Sequence, residues 1–92
     1  MSWFLYILEC ADASLYTGIT TDLERRVDEH NKGPRGARYT RSRRPVTLVA
    51  AWSFSDRGTA ASAEYAMKQL PRSAKLDLVT QGEFAGGCRV SL

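Results

Sequence analysis

The chain has 92 residues, of which 43% are hydrophobic and 25% charged, and a formal net charge of +3 at pH 7. That length suits one domain, burying about 60–65% of the surface of its extended chain, and the composition excludes an intrinsically disordered chain. Cys10 and Cys88 stand far apart with no metal-ligand or Cys-x-x-Cys spacing, which argues against a disulfide scaffold or a cysteine zinc site and for a reduced, cytoplasmic protein.

Residues 3–10 are rich in aromatic and aliphatic side chains and predict a strand. This apolar start has no basic flank and meets Glu9 too soon for a signal peptide or a membrane span, so no membrane partner is expected. Residues 11–14 read as a turn and 15–19 as a second strand, giving a hairpin. Its register decides whether Tyr6 and Tyr16 share a face, because side chains alternate. Pairing Ala11 with Leu15 around a loop of residues 12–14, or a bulge of the same effect, puts them together, and this is the expected arrangement.

Thr21-Asp22-Leu23-Glu24 has the form of a capping box and predicts a helix over residues 22–31, stopped by Gly33-Pro34. Residues 32–44 lack an apolar period and read as a loop. Residues 46–54 predict a third strand. A second helix follows Ser55-Asp56 and runs to Leu70 before Pro71, and Ser73 would cap a short third helix reaching Gln81. The tail from Gln81 onward is glycine-rich and expected to be loosely held. The fold class is therefore α/β, of the α+β kind. It is a small, mainly antiparallel three-stranded sheet flanked by helices in the order β-β-α-β-α-α, with a domain over residues 1–82 and a C-terminal tail over 83–92.

Helical geometry sorts the first helix. Residues advance about 100° each, so Leu23 and Val27 share the buried face, with His30 between them in azimuth one turn on. Arg26 borders that stripe, and Arg25 points into water. A guanidinium on the border can meet a phosphate with two parallel charge-assisted bonds; the plain alternative is a solvated helix face. In the second helix Ala60, Ala63, Met67 and Leu70 form the apolar stripe, with Glu64 at its edge and Lys68 one turn on. Glu64 either holds a divalent ion, since magnesium often takes only one or two protein carboxylates, or makes a surface pair with Lys68. Lys32, Arg35, Arg38, Arg41, Arg43 and Arg44, with Tyr39 among them and no acid, suit nucleic-acid contact: charge for phosphates and a ring for stacking. A solvated loop is the alternative.

Taken together these residues resemble the GIY-YIG nuclease domain, in particular its small stand-alone bacterial members. Leu5-Tyr6-Ile7 stands where that family has its Gly-Ile-Tyr-type residues, with Leu5 in place of the glycine, and Tyr16-Thr17-Gly18 stands where it has Tyr-Ile-Gly. In "TTDLERRVDEHN", Arg26 matches the family's catalytic arginine and His30 its helical histidine, and Glu64 in "AEYAMKQL" matches its metal-binding glutamate. The late asparagine of some members has no counterpart, since Asn31 is the only asparagine.

The resemblance implies a metal-dependent endonuclease, active in repair or processing of DNA structures, that hydrolyses phosphodiesters with one Mg²⁺ or Mn²⁺. Tyr6 would take the proton of the attacking water, helped by His30, Tyr16 would line the cleft with it, and Arg26 would stabilise developing charge. Glu64 would hold the metal, and Gly18 would let backbone or substrate come close. DNA is the expected partner, with RNA open, and specificity is left to a protein partner. The alternatives are a non-catalytic nucleic-acid-binding module on the same fold and an interaction domain in which the tyrosines are core.

Overall fold

Alternation along β1 (Trp3–Glu9) organises the molecule. Leu5 and Ile7 face one way, Tyr6 and Leu8 the other, and all four are buried, as a central strand with both faces covered requires. The computed structural model describes residues 2–92. It sets β1 between β2 (Leu15–Thr20) and β3 (Thr47–Phe54), antiparallel to both. Four helices follow in chain order: α1 (Leu23–Lys32), α2 (Arg38–Arg41), α3 (Arg57–Lys68) and α4 (Arg72–Thr80).

The two faces carry two cores. Leu5, Ile7, Ala50, Trp52 and Phe54 meet Ala60, Ala63 and Met67 of α3, with Leu78 and Val79 of α4 packed beside them. The alanines remove bulk where α3 approaches the strands, which places this helix beneath β1 and β2. On the other face Tyr6, Leu8, Cys10, Val46 and Ala51 meet Tyr16 and the Leu23 and Val27 stripe of α1. The β1–β3 register slips between Ile7 and Leu8. This bulge lets the neighbours Val49 and Ala50 both join the first core.

The sheet has four strands, not three, in the order β2-β1-β3-β4. The additional strand, β4 (Cys88–Arg89), comes from the tail, which is held rather than loose. Arg89 pairs with Trp52 and Cys88 with Ser53, and Val90 N–H donates to Ala51 O at 2.9 Å. The Arg89 guanidinium donates to Leu78 O (2.6 Å) and Val79 O (2.7 Å) in the last turn of α4 and to Gly82 O (3.1 Å). It thereby satisfies carbonyls that a helix end leaves open.

Three local expectations are corrected. Asp22, not Thr21, caps α1: its Oδ1 accepts Arg25 N–H at 3.0 Å, while the Thr20 hydroxyl accepts Asp22 N–H at 3.1 Å. The basic segment is not all loop, because Arg38–Arg41 forms α2. Helix α4 follows Pro71 with no side-chain cap, so Ser73 lies inside its first turn. Asp56 caps α3, accepting Thr59 N–H at 2.8 Å. Among the described residues no helix is long and apolar enough to cross a membrane.

Candidate active site

The hairpin brings the two tyrosines together. Tyr6 stands opposite Gly18 and Leu8 opposite Tyr16, so Tyr6 and Tyr16 project from one face, their rings 6.4 Å apart. The loop lies one residue earlier than expected. Residues 11–13 form it, Cys10 N–H donates to Ser14 O at 2.8 Å, and Ala13 takes the left-handed conformation (φ 68°) that closes a three-residue hairpin loop. The pairing differs from the anticipated one by two residues, which preserves parity and hence the shared face. The Tyr6 ring lies across Gly18: a Cβ there would come within 2.6 Å of Tyr6 Cζ and closer still to the hydroxyl. Because β2 is an edge strand, this crossing carries the phenol toward the rim of the sheet.

His30 completes the cluster from α1. It is fully buried, on the face that Leu23 and Val27 press to the sheet. Its Nε2 lies 2.8 Å from Tyr6 Oη and its Nδ1 lies 2.8 Å from Thr40 Oγ1. Tyr16 stands edge-on to the imidazole at 5.1 Å between ring centroids. Beyond Tyr16, Tyr39 stacks at 6.0 Å, and the Arg43 guanidinium lies 3.9 Å from the centre of the Tyr39 ring. An aromatic ladder thus runs from the buried phenol to the surface.

The neighbouring arginines diverge as helical geometry requires. The Arg25 side chain is 63% exposed and that of Arg26 25%. Arg26 Nη1 donates to Glu29 Oε1 (2.9 Å) and Arg35 O (2.8 Å), and it stands close enough to Tyr6 to favour the charged form of the phenol. Sequence reasoning passed over Glu29, although its i, i+3 spacing from Arg26 was the available signal.

Burial pushes the Tyr6 phenol up to about 12, against the pull of Arg26, while the charges of Tyr16 and Glu64 also raise it. Burial pushes His30 down to about 4, aided by the charge of Arg26. Both groups are therefore neutral at pH 7. For His30 the folded value lies below the ordinary 6.5, so between pH 6.5 and 4 the unfolded chain binds the proton that the folded chain refuses. Stability is full above pH 6.5 and falls through this window, by about 1.4 kcal/mol per unit and on the order of 3 kcal/mol by pH 4. Denaturant unfolding at pH 7 and pH 4.5 should show this loss, and His30→Gln should flatten it. Equal slopes in the parent and the variant would contradict the placement of His30. Asp12 and Asp56, both held below the usual carboxylate range chiefly by hydrogen bonds from Ser14 and Thr59, act at lower pH.

The basic segment is not one undivided surface. Arg44 turns inward: Nε donates to His30 O and Nη2 to Gly33 O, both at 2.6 Å, so it caps the C-terminus of α1. Asn31 clamps the far end, giving Nδ2–H to Val46 O (3.0 Å) and accepting Val46 N–H (2.7 Å). Arg43 pairs with Asp12 at 3.0 Å. Lys32, Arg35, Arg38 and Arg41 remain exposed, although Lys32 sits 3.2 Å from Asp28 and Arg41 donates to Pro34 O at 2.9 Å.

Glu64 reaches the site from α3, close enough for its carboxylate to raise the Tyr6 phenol. It is half-buried, and Lys68 Nζ lies 3.3 Å from its Oε2. Among the described residues no group of three His, Cys, Asp or Glu side chains is placed to hold a metal. A lone carboxylate suits magnesium or manganese, hard ions that retain several waters, and does not suit zinc.

The family model described as the GIY-YIG catalytic domain matches residues 2–77. The chain belongs to the GIY-YIG family. A relative from Desulfotalea psychrophila, UPF0213 protein DP2720, is 55% identical over 82 residues, covering 89% of this chain and 74% of its own. Two solution structures are similar. UPF0213 protein BH0048 from Bacillus halodurans has a TM-score of 0.56 at 48% identity, and EF2693 from E. faecalis has 0.60 at 43%. In both cases the match covers 87% of this chain and 84% of the other. Membership places the chain in the GIY-YIG nuclease superfamily, whose members are generally dependent on divalent metals.

Proposed function

We propose that this GIY-YIG protein is a metal-dependent endonuclease that hydrolyses phosphodiesters in DNA, serving the repair or processing of DNA structures. The observation that carries this reading is the buried contact of 2.8 Å between Tyr6 Oη and His30 Nε2, with Arg26 beside the phenol. A phenol near 12 and an imidazole near 4 do not form a standing phenolate–imidazolium pair. Tyr6 therefore works as a relay: its proton passes to His30 Nε2 as it takes one from the water attacking phosphorus. The water oxygen bonds to phosphorus, the bond to the leaving oxygen breaks, and that oxygen is protonated from solvent while His30 later returns its proton. Arg26 faces the phosphoryl oxygens, where a pre-aimed cation is most effective in the transition state. Tyr16 lines the cleft beside His30. Glu64 would hold a Mg²⁺ or Mn²⁺ ion, and the bound ion supplies Lewis-acid polarisation of the phosphate. Lys32, Arg35, Arg38 and Arg41 border the mouth and suit backbone contact, while Tyr39 with Arg43 over its ring extends the aromatic wall. Arg44 contributes by holding this segment in place.

The second reading, a non-catalytic nucleic-acid-binding module, draws support from the ammonium of Lys68 already seated on Glu64. Incubation of supercoiled plasmid with protein and Mg²⁺ or Mn²⁺ separates the two. Nicking that chelator stops and that Glu64→Ala abolishes is the expected result. Plasmid binding without nicking, unchanged by Glu64→Ala, would favour the binding module.

A further inference from the structure

His30 can accept the Tyr6 proton only if Nε2 carries a lone pair, so the other ring nitrogen must hold the hydrogen. The atoms around Nδ1 bear on this directly. Thr40 is fully buried on α2, with Oγ1 2.8 Å from His30 Nδ1 and 2.9 Å from Ala37 O. Thr40 Oγ1 donates its single hydroxyl proton to Ala37 O, a carbonyl that also accepts the Thr40 and Arg41 N–H groups. The Thr40 oxygen is then left to accept, and Nδ1 must donate. Ala37 N–H also points at Nδ1 and by itself would favour the opposite tautomer, but at 3.4 Å it is a weaker contact than the one of 2.8 Å with Thr40.

We infer that Thr40 is a positioning residue that holds His30 in the Nδ1–H tautomer through the chain His30 Nδ1–H to Thr40 Oγ1–H to Ala37 C=O, keeping Nε2 free to accept from the Tyr6 hydroxyl. This rests on the nuclease reading for its catalytic meaning. When Nε2 takes the Tyr6 proton, the ring becomes an imidazolium whose Nδ1–H already has its acceptor. No second proton moves, and no group needs to reorient.

Thr40→Val keeps the shape and removes both hydrogen bonds; Thr40→Ser keeps the hydroxyl. His30 is the single histidine of the chain, so its two ring nitrogens give an unambiguous signature in ¹⁵N-edited NMR of this 92-residue chain. In the parent and in Thr40→Ser, a protonated Nδ1 and a bare Nε2 are expected. In Thr40→Val the ring should turn wholly or partly to the Nε2–H form, which Ala37 N–H would then favour. Plasmid nicking by Thr40→Val should fall by roughly 10²-fold or more, the scale of general acid–base assistance, with DNA affinity unchanged and with Thr40→Ser recovering most of the rate. A parent ring in the Nε2–H form, or a Thr40→Val ring unchanged from the parent, would overturn the inference, as would Thr40→Ser behaving like Thr40→Val. The ring signature is read without substrate. The expected tautomers in a protein that cuts nothing would therefore support the role of Thr40 while removing the nuclease reading.

Discussion

Arg26→Ala is expected to give a folded protein that binds DNA nearly as the parent does and cuts it about 10²–10³-fold more slowly, the cost of removing one pre-aimed transition-state group. Arg25→Ala is expected to cut like the parent and to change stability by no more than about 0.5 kcal/mol, as for a solvated surface side chain. The two residues are chemically identical neighbours, and only their azimuth on α1 differs. Arg26 is held near Tyr6 by Glu29 and the Arg35 carbonyl, whereas Arg25 is mostly in water. Thermal unfolding of both variants comes first, because Arg26→Ala also releases the Arg35 carbonyl. Arg26→Lys keeps the charge without the planar fork and should recover little. Equal losses in Arg25→Ala and Arg26→Ala would remove Arg26 from the reaction.

Gly18→Ala should be at least as damaging, although it adds only one methyl group at a position that carries no charge. An added Cβ would meet Tyr6 Cζ at 2.6 Å and its hydroxyl more closely, so the ring must leave its place over β2. Its contact with His30 is then lost, and with it the proton relay, which on the general acid–base scale is worth about 10²–10⁴ in rate. The backbone at Gly18 is ordinary strand, so the sheet itself accepts alanine. Gly58→Ala is the matched control. It lies in α3, where the nearest atom to an added Cβ is Asp56 Oδ1 at 3.4 Å, and alanine favours a helix over glycine by about 1 kcal/mol. That variant should be as stable as the parent or more so, and fully active. Cutting by Gly18→Ala within a few-fold of the parent would show that the position of Tyr6 over Gly18 is not required.

What could be read from the sequence follows the range of the forces involved. Period-two alternation reduced the placement of Tyr6 and Tyr16 to a choice of parity, and the expected register kept them on one face even with the loop misplaced, because an error of two residues preserves parity. The 100° step separated Arg25 from Arg26 for the same reason: helix phase is local. Thr21 was taken for the cap because Glu24 follows at the spacing of a capping box, although Asp ranks above Thr as a cap. The choice between them depends on Thr20, whose hydroxyl is already committed to Asp22. The fourth strand has two residues, too few for a period, and its hold on the molecule comes from Arg89 reaching α4. Helix α2 is four polar or aromatic residues, and Thr40 within it looks like any loop threonine until His30 is placed beside it. Charge counting found the basic segment but not its aims. Arg44, counted as a phosphate contact, is directed at the carbonyls of α1, and nothing in its neighbours along the chain records that.

The stretch between Gly33 and Val46 lies at the surface yet carries the constraints of an interior. Arg44 and Asn31 fix its far end back onto the end of α1, Gly36 is buried with no room for a Cβ against the backbone of Glu29 and His30, and Thr40 must meet a ring nitrogen in mid-course. Its length is therefore not a free variable: one residue inserted or removed would slide Thr40 away from His30. Exchange for a loop of another length, the usual liberty with a surface connection, would break that contact. The freedom that remains is in the outward side chains, at Arg35, Arg38 and Arg41. On the nuclease reading, new substrate preferences would have to be written there, by substitution at constant length.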